Sequence, residues 1–194
     1  MSLDRITQWG LSEASAALMK NEVSSIELTK HLLGRIEQKD SELGAFLAVD
    51  EEGAIKAAGD SDARRKAGTA LGPLDGIPVG LKDMILTKGL RTTAASRILE
   101  NYVPSYEATV SLKLKDAGAV VLGKLNQDEF AMGSSNETSA FQIVSQSLGP
   151  LANSRRILRR VGCFSRSWPR FWNARYRYRW FHSPTSCLLW RYGA

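Results

Sequence analysis

The charge pattern of this chain breaks after residue 144, and the break limits how much of it one fold can contain. From Ser145 to Ala194 every formally charged residue is an arginine: ten Arg, with no Lys, Asp or Glu. Both cysteines (Cys163, Cys187) and four of the five tryptophans (Trp168, Trp172, Trp180, Trp190) lie in the same stretch. The whole chain carries +6 and this tail +10, so residues 1–144 carry −4. The basic balance belongs to the tail, and a conventional fold is to be sought in the first part.

That first part has mixed charge, balanced apolar content and no cysteine, the composition of a soluble cytoplasmic protein. Its start, Met1-Ser-Leu-Asp-Arg-Ile6, has neither a basic n-region nor a continuous apolar h-region, so no signal peptide is expected. No run approaches the roughly 18 apolar residues that a membrane span needs. Two cysteines in an atypical tail offer neither a disulfide framework nor metal-ligand spacing.

Three helices are predicted before residue 70. Ser12 is placed as the cap of a helix running to about Lys20. Ser24-Ser-Ile-Glu27 has the form of a capping box, in which hydroxyl and carboxylate satisfy free amides at a helix start. Behind it Ile26, Thr29, Leu33 and Ile36 share one face, with Leu32 adjacent. A third helix fits Glu51 to about Ala67. Gly72-Pro-Leu-Asp-Gly76 marks a turn, and Ile77 to Leu81 suits a buried strand ending at Lys82-Asp83. Ala108 to Ala117 is helical in pattern, with Val110, Leu112 and Leu114 within it. Gly118 closes that helix, and Ala119 to Leu122 gives a further strand ending at Gly123-Lys124. Strand, helix and strand in this order imply an α/β fold with at least partly parallel strands.

Two places can carry chemistry. Lys82 ends an apolar run, and a lysine delivered into an interior can lose enough hydration to act as a neutral base. The ordinary alternative is a strand-end lysine paired with Asp83 or turned to solvent. The second place is Phe130-Ala-Met-Gly-Ser-Ser135, a loop of small residues whose backbone amides can approach a substrate.

The segment Gly72-Pro-Leu-Asp-Gly-Ile-Pro-Val-Gly-Leu-Lys-Asp83 resembles the start of the amidase signature family. Thr87-Lys-Gly-Leu-Arg-Thr-Thr93, Ala119-Val-Val-Leu-Gly-Lys-Leu-Asn126 and Asp128-Glu-Phe-Ala-Met-Gly-Ser-Ser135 follow in family order. Within the family they look like the amidase subunits of aspartyl/glutamyl-tRNA amidotransferases, over about Leu3 to Phe141. The resemblance implies a catalytic triad of a lysine, a serine in a cis peptide and a nucleophilic serine. Lys82 matches the lysine, and Met132, Gly133, Ser134 and Ser135 match a segment lining the amide pocket. It also implies glutamine as ammonia source, subunits B and C as partners in a heterotrimer, and mischarged Glu-tRNA(Gln) as the acceptor reached through the complex. ATP and Mg2+ are then used by the complex, with no cofactor bound by this chain. The expected organisation is a helical segment over 1–70, the start of an incomplete amidase-signature α/β domain over 71–141, and a non-family tail over 142–194.

The family pattern continues with Asn-Pro-Trp-Asp, Pro-Gly-Gly-Ser-Ser-Gly-Gly-Ser and Asp-Thr-Gly-Gly-Ser-Ile-Arg-Gln-Pro, none of which this chain contains. Both triad serines are therefore missing. The genetic code offers a reason, found by joining the last two bases of each tail codon to the first base of the next. Residues Gln146 to Leu151 then permit Asn-Pro-Trp-Asp-Leu, and Ser154 to Val161 permit Pro-Gly-Gly-Ser-Ser-Gly-Gly-Ser. Arg177 to Thr185 permit Asp-Thr-Gly-Gly-Ser-Ile-Arg-Gln-Pro, and Leu189 to Gly193 permit Cys-Gly-Val-Met-Gly. Four matches in one register and in family order predict a one-base shift between about Phe141 and Ser147. Glycine codons read out of frame become arginine and tryptophan codons, which accounts for the composition. An unselected tail is expected to be irregular or disordered and the chain to be inactive. Two alternatives stand beside this reading: an RNA-binding tail in which Arg neutralises phosphates and aromatics stack on bases, and a fragment of a stand-alone amidase for small amides.

Overall fold

A computed structural model of the protein describes Ile6 and residues 9–145. The elements run α1 (Leu11–Met19), α2 (Ser25–Leu43), β1 (Phe46–Val49), α3 (Glu51–Lys66), β2 (Pro78–Lys82), α4 (Thr109–Asp116) and β3 (Val120–Leu125). The expectation of an irregular tail falls on residues outside those described.

Helix α2 begins as its sequence implies. Ser24 Oγ accepts the Glu27 amide at 3.1 Å while the Glu27 carboxylate accepts the Ser24 amide at 2.9 Å. The Asp62 carboxylate adds bonds from the amides of Ser25 and Ile26, at 2.7 and 3.1 Å, so α3 caps α2 from outside. The buried stripe of α2 is broader than the predicted face. Ser25, Leu28 and Leu32 are among its deepest residues and Ile26 is only half-buried, because α2 packs on both α3 and the sheet.

Helix α1 starts one residue before the predicted cap. Gly10 is its N-cap, Ser12 lies inside the first turn, and the Glu13 carboxylate accepts the Gly10 amide. Asp50 caps α3 by accepting the Gly53 amide at 3.0 Å. In α4 only Ser111 is buried; Val110 and Leu114 are half-buried and Leu112 is exposed. Gly118 ends α4 at φ +82, in the left-handed region open to glycine, and its missing side chain leaves room for Asp75.

The three strands form one mixed sheet in the order β1-β3-β2. β2 and β3 run parallel around α4, as the strand-helix-strand pattern implies, while β1 pairs antiparallel with β3. Local pattern does not signal β1. This strand brings residues 46–49 of the helical segment into the same sheet as residues 78–82 and 120–125. One apolar core lies between this sheet and the helices, centred on Leu28, Leu32, Ile77, Val120 and Leu122.

The turn before β2 is locked by Asp75. Its carboxylate is fully buried and takes two bonds from Arg64, at 2.6 and 3.2 Å, and one from the Leu71 amide at 3.0 Å. Burial pushes this carboxyl upward, but Arg64 and the Leu71 amide more than offset it and hold the group below its ordinary range.

Candidate active site

Lys82 is the last residue of β2 and is half-buried, opposite Leu125 in the ladder. The chain turns immediately after it: the Ile85 amide donates to the Lys82 carbonyl at 2.9 Å. The Asp83 amide donates to the Leu125 carbonyl at 3.0 Å, which ties the same turn to β3. The sequence predicts a lysine delivered to the end of a buried strand, and it lies there.

Asp83 is fully buried and organises the loop that follows. Its Oδ2 accepts from the Thr93 amide at 3.0 Å, the Thr93 hydroxyl at 2.5 Å and the Ala95 amide at 3.1 Å. These bonds hold Ala94 and Ala95 in successive left-handed conformations, φ +51 and +56. Alanine adopts that region at a cost of order 1 kcal/mol or more, so the surrounding bonds must over-determine it.

The same loop supports the second candidate segment. The Phe130 amide donates to the Ala94 carbonyl at 2.9 Å, and the Ala140 amide to the Ala95 carbonyl at 3.0 Å. Phe130 and Ala131 are also left-handed, φ +49 and +59, so two strained pairs meet through one hydrogen bond. Asp128 closes the segment on itself by accepting the Asn136 amide at 2.9 Å and the Thr138 hydroxyl at 2.9 Å. Gly133 sits against this carboxylate so closely that any Cβ there would collide with it. Met132, Gly133 and Ser134 are exposed, while Ser135 is half-buried and donates to the Glu137 carboxylate at 2.9 Å. Phe141 lies under the guanidinium groups of Arg91 and Arg97, at 5.9 and 5.8 Å from the ring centre. The expected lysine and the expected pocket segment are thus joined through Asp83 and Ala94.

Lys124 stands in the sequence as one letter of a motif, yet it is the largest side chain wholly buried among the described residues. Its ammonium donates to the Ile85 carbonyl and, at 3.1 Å, to the Thr87 hydroxyl. Burial lowers it to about 8; Asp83 and Glu107 pull the other way and Lys115 adds to the lowering. A lysine inside the apolar run Val120 to Leu125 was the available signal. Asp128 was visible only as a motif letter and Asp83 only as a motif letter or a neighbour for Lys82, since the partners they take lie 8 to 12 residues away. A separate cavity of about 310 Å3, lined in part by Asp50, Asp60, Arg64 and Lys115, includes neither Lys82 nor any residue of 130–135. Among the described residues no cluster of His, Cys, Asp or Glu could hold a metal ion, and no helix is long and apolar enough to cross a membrane.

Comparison with known proteins agrees with this geometry. The A subunit of the glutamyl-tRNA(Gln) amidotransferase of Myxococcus xanthus (strain DK1622) is 56% identical over 137 residues, 71% of this chain and 28% of that protein. The solved A subunit of the same enzyme from Thermotoga maritima shares 39% identity, with a TM-score of 0.58 over 75% of this chain and 28% of its own. The peptide amidase of Stenotrophomonas maltophilia shares 36% identity, with a TM-score of 0.61 over 66% of this chain and 27% of its own. The chain therefore spans just over a quarter of the length of these relatives. The profile of the amidase family matches residues 27–162, which include all three strands and both segments of the site and run past Phe141. With the strand-end lysine, the loop it is tied to and this match in agreement, the chain belongs to the amidase family.

Proposed function

We propose that this chain is the N-terminal part of the amidase subunit of a glutamyl-tRNA(Gln) amidotransferase, with Lys82 as the base of its glutaminase site. The observation that carries the reading is the position of Lys82, on a turn bonded to β3 and linked through Asp83 and Ala94 to the 130–135 loop. The 56% identity to an amidotransferase chain of that name favours this member of the family over others.

In such a site a serine hydroxyl, a poor nucleophile when protonated, attacks the carboxamide of glutamine. Neutral Lys82 withdraws its proton through a bridging serine, and backbone amides stabilise the tetrahedral oxyanion. Met132, Gly133, Ser134 and Ser135 line the amide pocket. Collapse of that intermediate breaks the C–N bond as the withdrawn proton goes to the departing nitrogen, and water then hydrolyses the glutamyl ester left on the serine to glutamate. The ammonia would pass to a partner among subunits B and C, and the complex would use ATP and Mg2+ in activating the glutamyl group of mischarged Glu-tRNA(Gln). The chain as written contains no counterpart of either serine motif after Phe141, so it has a base with nothing to activate. A one-base shift between about codons 141 and 147 accounts for the loss.

The purified 194-residue chain should hydrolyse no glutamine; hydrolysis that disappears in Lys82→Ala would overturn the inactivity. In a full-length chain with the frame restored, Lys82→Ala should cut ammonia release by at least about 1000-fold, and near-normal release would remove Lys82 from the base role. The DNA sequence across codons 141–147 tests the shift directly.

A stand-alone amidase is the second reading, favoured by the likeness to the peptide amidase. The two differ in dependence on partners. A restored chain that hydrolyses small amides alone, and gains nothing from subunits B and C, would favour the stand-alone enzyme.

A further inference from the structure

We propose that Lys124 is the positioning residue for Lys82, a buried ammonium that pins the turn at the end of β2 to β3. The inference rests on the reading of Lys82 as base given above. It begins with the path of β3. Val120 and Leu122 face the helix-covered core, and regular alternation would send Lys124 there as well. Instead Leu125 packs against that core, and the Lys124 ammonium lies at Ile85 and Thr87, just past the end of β2. The pairing with β2 slips between Val79 and Gly80, and the pairing with β1 slips between Phe46 and Ala48, so the ladder is irregular on both sides of Gly123. A bulge of this kind re-aims the next side chain. Gly123 permits it, because a Cβ at that position would run into the Ala48 carbonyl of β1.

The re-aimed ammonium reaches the Ile85 carbonyl and the Thr87 hydroxyl. Ile85 is the residue whose amide closes the turn onto Lys82, and the Thr87 hydroxyl itself donates to the Ile85 carbonyl at 3.1 Å. Three bonds therefore hold the backbone around Lys82: Ile85 to Lys82, Asp83 to Leu125, and Lys124 to Ile85. The nearby Asp83 carboxylate attracts the ammonium, and one of its oxygens, Oδ1, is buried with no hydrogen-bond partner among the described residues. A leucine or methionine would fill the same space without a desolvation cost. What the lysine adds is a directed bond to the turn, and a displacement of about 1 Å in a reacting group can cost on the order of 100-fold in rate.

The test uses the full-length, frame-restored chain in its complex, with Lys124→Met, Thr87→Val and Lys82→Ala assayed side by side for glutamine hydrolysis. Lys124→Met should lower kcat at least about tenfold and leave KM for glutamine within about twofold, the pattern of a lost transition-state contact. Its Asp83 and Ile85 amides should exchange with deuterium at least about tenfold faster, while those of Leu28 and Leu32 keep their protection. A Lys124→Met enzyme with kcat within about twofold of the parent overturns the proposal. Should that variant fail to fold, Thr87→Val decides: a several-fold fall in kcat supports the proposal, and an unchanged kcat overturns it. Inactive Lys82→Ala beside normal Lys124→Met sinks the positioning role alone, whereas active Lys82→Ala sinks both readings.

Discussion

Under the helices the buried side chains are mostly apolar, with Leu28, Leu32, Ile77, Val120 and Leu122 outweighing Ser25, Thr29 and Ser61, whereas under the loop after β2 Asp83, Thr87, Thr92, Thr93, Ser96 and Lys124 are buried. The first group is held by removal of apolar area from water, which is undirected and tolerates small shifts. The second is held by hydrogen bonds of defined length and direction, which fix the backbone at the cost of desolvating charge. The lysine assigned to chemistry sits at the junction, on a strand packed by the first group and in a turn pinned by the second. Directed bonds are concentrated around the turn that carries Lys82, and undirected apolar packing under the helices.

That contrast can be broken in four ways, taken from the largest expected effect. Leu32→Ala should destabilise the protein by about 4 kcal/mol, read by denaturant unfolding, with the same loss at pH 6 and pH 9. A pH-dependent loss would show that the helix side is not purely apolar in its energetics.

The loop side should respond to pH through Lys124. Its folded pKa of about 8 lies below the unfolded value near 10.4, so the unfolded chain binds more protons between them and stability rises with pH across that window. Below about pH 8 the full cost of the buried charge is present. The rise attributable to this group is on the order of 3 kcal/mol, and it should vanish in Lys124→Met. Parallel pH profiles for the two proteins would refute the assignment.

Asp75 gives the opposite sign. Its folded pKa is depressed, so its contribution is complete above the unfolded value near 4 and is lost as pH falls through the folded one. Asp75→Asn should cost about 2 kcal/mol at neutral pH and flatten the acid limb of the stability curve. An unaltered acid limb would mean that Arg64 does not govern the turn.

The smallest effect is expected at Gly133. Alanine there must push the Asp128 carboxylate away, so the Asn136 and Thr138 amides should lose exchange protection while global stability falls by less than about 1 kcal/mol. Retained protection at both amides would show that Asp128 does not shape the loop.

Much of the scaffold was legible in the chain. The Ser24 and Glu27 capping box, the helix from Glu51, the strand after Ile77 and the stop at Gly118 are signalled by residues within a few positions of one another. β1 was not, because four residues without alternation become a strand only by pairing with β3, some 75 positions later. The cap of α1 lies two residues before the predicted Ser12, at Gly10, whose amide Glu13 reaches back to accept. Of the site, Lys82 was legible as the polar end of an apolar run, and the 130–135 loop as a run of small residues. The link between them through Asp83 and Ala94 was not.

The local sequence by itself determined the start of α2 and α3, the strands after Ile77 and Ala119, and that a lysine ends β2, because these depend on short-range periodicity and capping. It also set the change in composition after residue 144, beyond which arginine is the only formally charged residue. Only the tertiary structure decided that Lys124 rather than Lys82 is the fully buried lysine. That outcome depends on the close approach of Gly123 to Ala48 and on the resulting slip in the ladder. A contact between strands so distant in sequence leaves no periodic trace in either one, and it is formed only when the sheet closes.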